Sequence, residues 1–141
     1  MRAKCLESII VVCTILGCSS RRQPPESAPL TTGTWRALTV NGQTAVPPDV
    51  ARRPWLQFVA DSGRVFGSAG CNRIAGPYTV TGSSLKFGAM AMTRMACLDS
   101  ALDAQETAFA AALQETDRFT VVADTLTLFS GTTPRLRLGR H

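Results

Sequence analysis

Short alternating segments separated by tight-turn residues restrict this chain to a mainly β fold. Asn41-Gly42, Asp61-Ser62-Gly63, Gly82-Ser83 and Ala123-Asp124 each close a run in which apolar and polar residues alternate. Period-two alternation puts one face of a strand on a core, and Asn-Gly or Gly-Ser between two such runs favours a hairpin. The spacing predicts strands over 34–40, 55–60, 64–69, 77–81, 84–87, 118–122, 125–129 and 135–138. The stretch 41–54, with Pro47-Pro48, reads as an irregular loop.

One segment departs from this rhythm. Residues 101–116 contain no Gly or Pro, and Leu102, Phe109, Ala112 and Leu113 fall at helical spacings, which predicts a helix over about 100–116 with one apolar face. Asp99 or Ser100 can cap its start, and Asp103 and Glu106 suit the positive end of its dipole. The expected class is therefore α+β, mainly β: a strongly curved, barrel-like antiparallel sheet with one helix against it.

The first seventeen residues read as an export signal. Arg2 and Lys4 precede the apolar run Ile9 to Leu16, which is shorter than the about 20 residues a bilayer-spanning helix needs. Ile15-Leu16-Gly17-Cys18, followed by polar Ser19-Ser20-Arg21-Arg22, resembles a lipobox cleaved before Cys18. A small side chain at Gly17 fits beside the scissile bond, and the Cys18 thiol receives the lipid. An ordinary secretory signal with a chance cysteine, or an uncleaved anchor, are the alternatives. Ser19, rather than Asp, after the lipid cysteine resembles the pattern that sorts to an outer membrane. The expected organisation is a signal peptide at 1–17, a lipidated Pro- and Ser-rich tether at 18–32, and one domain at 33–139. Membrane contact would come through the lipid anchor, on the periplasmic side of the outer membrane. The net charge of +5 comes largely from scattered arginines with few aromatics between them, which reads as solvated faces. Together with export, this argues against a nucleic-acid partner.

Gly67-Ser68-Ala69-Gly70-Cys71-Asn72-Arg73, followed by Gly76-Pro77-Tyr78, is the most distinctive stretch of the domain. Downstream stand Thr93-x-Met95-x-Cys97 and Glu106-x-x-Phe109-x-x-x-Leu113. This ordered set, with Trp35, Leu38, Asn41-Gly42 and Leu126-x-Leu128, resembles the META/HslJ family over essentially the whole domain. The resemblance implies heat-inducible expression and a link to novobiocin tolerance, as in some bacterial members, or the secretion- or motility-related roles of others, and it brings no agreed biochemical mechanism. Gly67 and Gly70 are expected where the backbone must bend or approach closely. Asn72 is expected to tie a turn, Thr93 to meet a neighbouring chain through its hydroxyl, and Met95 to fill the core.

Cys71 and Cys97 are the cysteines of the domain itself. In an oxidising compartment they are expected to form a disulfide, the alternative being two buried thiols. They do not form a C-x-x-C redox pair, and two cysteines without a nearby histidine fall short of a zinc site. The sole histidine, His141, ends the sequence and is expected to be disordered, which leaves no base for a Cys–His or Ser–His–Asp arrangement. Asp99 and Asp103 read as helix-start residues. No catalytic residue, metal or cofactor is expected. Asn72, Arg73 and Arg94 are the candidate binding residues, as polar groups beside the glycine-bent turn that could face solvent, the alternative being that they only satisfy the turn and its neighbours. The expected function is a non-catalytic envelope lipoprotein that binds an envelope partner or stabilises the envelope. A small-ligand or hydrolase-inhibitor module is the alternative, disfavoured if Trp35, Phe58, Phe66, Phe87, Phe109 and Phe129 fill the core.

Overall fold

A computed structural model describes residues 30–47 and 49–141. The expected signal peptide, Cys18 and most of the tether lie outside the described residues. Ten strands and one helix follow in the order β1 (Trp35–Val40), β2 (Gln43–Thr44), β3 (Trp55–Val59), β4 (Arg64–Ser68), β5 (Arg73–Thr81), β6 (Ser84–Phe87), β7 (Ala91–Met92), α1 (Ser100–Gln114), β8 (Arg118–Val122), β9 (Thr125–Ser130) and β10 (Thr133–Arg140). A short 3-10 turn spans Val50–Arg52.

Antiparallel pairing runs β10-β9-β8-β6-β5-β4-β3-β1, and β10 also pairs with β1, so these strands close into a barrel. Two short strands ride on it, β2 beside β1 and β7 beside the first residues of β5. Closure satisfies the edge groups that an open sheet would expose. Alternation decides which residues fill the interior. Trp35, Leu56, Phe58, Val65, Ile74, Leu85, Phe87, Phe119, Val121, Leu126, Leu128, Leu136 and Leu138 are buried, while their neighbours along each strand face outward. A barrel of this size has just enough room for its own side chains. Phe58 anchors the interior, meeting Tyr78 edge-on at 5.0 Å and Phe87 at 6.1 Å between ring centroids.

Helix α1 touches β1 and β10 on one side of the ring and β6 on the other. In the ring order β6 stands opposite β1, so a helix that reaches both crosses the barrel's mouth. Glu106, Phe109, Ala112 and Leu113 form the buried face of α1. Burying Phe109 and Leu113 contributes about 1.5–3 kcal/mol each. The carboxylate of Asp99 caps the start, accepting from the backbone N–H groups of Ala101 at 2.8 Å and Leu102 at 3.3 Å.

Several expectations need correction. Strand β5 begins at Arg73 rather than at residue 77, because Arg73, Ile74 and Ala75 pair with the end of β4. Of the six aromatic rings whose burial would disfavour a ligand cavity, two are not buried. Phe66 faces outward, paired with Ala75 on β5, and Phe129 lies half-buried under Arg118, whose guanidinium carbon sits 4.2 Å from the ring centroid. Met95 is 61% exposed and fills no core. The chain end is ordered, since His141 exchanges backbone hydrogen bonds with Thr34 at 2.8 and 3.1 Å.

Candidate functional site

The segments that set this sequence apart converge where β4 turns into β5 beneath the start of α1. Gly67 lets β4 lie tight against β3 just before the turn. Its backbone runs so close to β3 that a Cβ would collide with the carbonyl oxygen of Trp55. Gly70 adopts φ 144°, open mainly to glycine. Ser68 closes the turn, its hydroxyl donating to the Gly70 carbonyl at 3.0 Å, while the N–H of Ala69 donates to the Asn72 carbonyl at 2.9 Å.

Asn72 is the hub. Its side-chain nitrogen donates to the Met95 carbonyl at 3.0 Å and to Glu106 Oε1 at 2.5 Å. Its side-chain oxygen accepts from the Thr93 hydroxyl at 2.9 Å and from the Met95 N–H at 2.6 Å. Its backbone N–H donates to Glu106 Oε2 at 2.6 Å. An amide side chain offers two donors and two acceptor sites, and all four are engaged. Thr93 completes the bracing: its hydroxyl also accepts from the Arg73 N–H at 3.0 Å, so the hydroxyl meets a neighbouring chain as expected.

Glu106 does more than suit the helix dipole. It is 5% exposed and ties α1 to the β4–β5 turn. A buried carboxylate is costly unless its oxygens are hydrogen-bonded, and Asn72 supplies a donor to each. A sequence signal was available. Glu106 stands three residues before Phe109 and seven before Leu113, on the stripe that must face the core.

Cys71 and Cys97 are joined in a disulfide with Cα atoms 5.7 Å apart. It fastens the residue before Asn72 to the segment that Asn72 already holds through Met95. The sequence separation of 26 corresponds to about 3.5 kcal/mol of stabilisation on the chain-entropy model. Atoms of Cys71, Cys97 and Glu106 lie within 4.8 Å of one another, but both sulfurs are consumed by their mutual bond.

The candidate binding residues divide. Asn72 is 4% exposed and its polar atoms are occupied, so it ties the turn as expected. Arg73 and Arg94 are exposed. The Arg73 guanidinium carbon lies 6.0 Å from the Trp55 ring centroid, and Arg64 sits 5.9 Å from Phe66 in the same way. Trp55, Phe66, Arg73, Ala75, Ala91, Met92 and Thr93 border a shallow outer hollow of about 380 Å³. A second hollow, of about 430 Å³, lies between the β1–β2 hairpin and the helix residues Ala101, Ala104 and Ala108. No described helix is long and apolar enough to cross a membrane.

A helix-capped, closed antiparallel barrel, cross-braced by a buried Asn–Glu pair and a disulfide, is the class of protein that this geometry defines. The chain belongs to the META domain family, whose model matches residues 28–141. It is similar to a protein from Burkholderia xenovorans known from an NMR structure, with 26% identity, 99% of each chain covered and a TM-score of 0.65. A second NMR structure matches at 24% identity, with 79% of this chain and 91% of that one covered and a TM-score of 0.63. A DUF4847 family protein from Bacteroides vulgatus shares the fold, at 18% identity and a TM-score of 0.54, with 79% of this chain and 94% of that one covered. No curated protein matches.

Proposed function

We propose that this META domain protein is a non-catalytic envelope lipoprotein, exported by residues 1–17 and held through an acylated Cys18 at the outer membrane. There its domain stabilises the envelope or binds a component of it, and so contributes to stress and novobiocin tolerance. The observation that carries the reading is the Asn72 hub. The polar residues that set this sequence apart are engaged with one another, as bracing groups are, rather than converging on a space where a substrate could sit. The disulfide fits an oxidising compartment, and the lipobox-like Leu16-Gly17-Cys18 fits export with acylation. The filled barrel interior weighs against the ligand-binding alternative.

The test is genetic and biochemical together. A deletion strain should lose tolerance to novobiocin or heat. The wild-type gene should restore it, and Cys18→Ser should not, while leaving the protein out of the membrane fraction. Full complementation by Cys18→Ser, or a deletion without effect under either stress, contradicts the reading.

A further inference from the structure

The pairing registers align Arg36, Trp55, Ser68 and Arg73 in one row across β1, β3, β4 and β5. Gln57, Phe66, Ala75 and Ala91 form the next row across β3, β4, β5 and β7. Residues paired across strands share a face, and on these strands the buried alternates are Leu56, Phe58, Val65 and Ile74. Both rows therefore lie on the barrel's outer wall. The Thr93-to-Cys97 segment is pinned beside them through Asn72 and the disulfide. It presents Met95 and, one residue further, the fully exposed Leu98. Phe66 and Met92 are exposed as well.

The charges on this wall are of one sign. Strands β3, β4, β5 and β7 carry Arg64 and Arg73 and no Asp or Glu, and Arg94 is exposed on the adjoining segment. Of the carboxylates flanking the wall, Asp49 caps the 3-10 turn beside Arg36, Asp61 lies in the β3–β4 turn, and Asp99 is occupied by the helix N-terminus. Protruding apolar tips ringed by arginines, with aromatics under the guanidinium groups, suit a headgroup layer over acyl chains.

From this wall we propose that the protein docks on the surface of an anionic phospholipid bilayer, inserting Leu98, Met95 and Phe66 while Arg64, Arg73 and Arg94 meet the headgroup phosphates. The proposal rests on the lipid-anchored reading for its orientation. Cys18 precedes Leu30 by twelve positions, a span of at most about 43 Å. The described chain then enters at the end of the barrel where β1 begins, with Leu30 buried against the inward-facing Trp35. Leu30 accepts from Trp35 Nε1 at 2.7 Å, and the next residue, Arg36, is the register partner of Trp55. The anchor thus holds the wall within reach of the bilayer.

The two tryptophans permit a direct test, because Trp35 is sealed in the barrel and Trp55 lies on the wall. The acylated protein is reconstituted into vesicles of phosphatidylcholine and phosphatidylglycerol, with plain or brominated acyl chains. Docking predicts that brominated lipid quenches the emission, that Trp55→Phe abolishes the quenching, and that Leu98→Glu or Arg73→Glu weakens it by about fivefold or more. Equal emission in plain and brominated vesicles, from protein that co-floats with them and carries its acyl chains by mass, overturns the proposal and leaves the lipoprotein reading intact. Quenching unaffected by Leu98→Glu also overturns it, as does a dimer of the protein that Leu98→Glu dissolves, which would assign the wall to a second copy. A native protein without acyl chains instead overturns the lipoprotein reading, and quenching of that same protein still decides whether the wall docks.

Discussion

Asn72 tolerates few replacements, because each of its polar atoms has a partner fixed in place. Asn72→Asp keeps the shape but sets a second carboxylate against Glu106, and should cost about 3 kcal/mol or more in urea denaturation. Adding Glu106→Gln restores a donor between the two side chains and should recover part of that loss. Strict additivity of the two changes would show that the residues do not interact. Gly67→Ala should cost about 1–3 kcal/mol by forcing β4 away from the Trp55 carbonyl. Tyr78 behaves differently. Burial against Phe58 holds its phenol above the ordinary value of 10.0, so the folded state keeps a proton that the unfolded chain releases. Its contribution is present below pH 10.0 and is lost as pH rises through the folded value. Alkaline denaturation followed at increasing pH should therefore show a shallower loss of stability for Tyr78→Phe than for the wild type.

Among the elements, hairpins were the most legible. Gly82-Ser83 and Ala123-Asp124 stand at turns in the sequence and join β5 to β6 and β8 to β9 in the structure. The helix was equally plain, from Ser100 after its Asp99 cap, and Asp99→Ala should cost about 1 kcal/mol in thermal unfolding. Strand β7 was not foreseen. Its two residues, Ala91 and Met92, are strand only because Ile74 and Ala75 lie beside them, and nothing local prescribes that. The seam between β6 and β8 was likewise invisible. It brings together strands on either side of α1 and is short, with one residue pair, Ser84 with Arg118, and backbone bonds from Leu85 to Asp117 at 3.2 Å and from Phe119 to Ser83 at 3.0 Å. Hydrogen exchange should find the Leu85 and Phe119 amides less protected than those linking β9 to β10. The reverse order would mean that the barrel opens elsewhere.

For the molecule as a whole, the barrel-like curvature expected from the sequence is found, but which strands close it could not be read. Turn residues specify partners close in sequence, whereas β1 meets β10 across nearly the full length of the domain. That contact follows only from how eight short strands coil around Trp35, Phe58, Leu128 and Leu136. The segment 67–73 was recognisable as important, yet its role was not, since Asn72 beside two glycines reads equally well as a surface group or a buried brace. Only the arrival of Glu106 from the helix decides between them. On the proposed function, this braced barrel is built outside the cytoplasm on a lipid anchor. Intact mass measurement of the native protein, after thiol alkylation without prior reduction, tests it most directly. The predicted result is a chain starting at Cys18, carrying acyl chains and no alkylated cysteine. A mass that retains Met1 to Gly17, or one with alkyl groups on both Cys71 and Cys97, would contradict it.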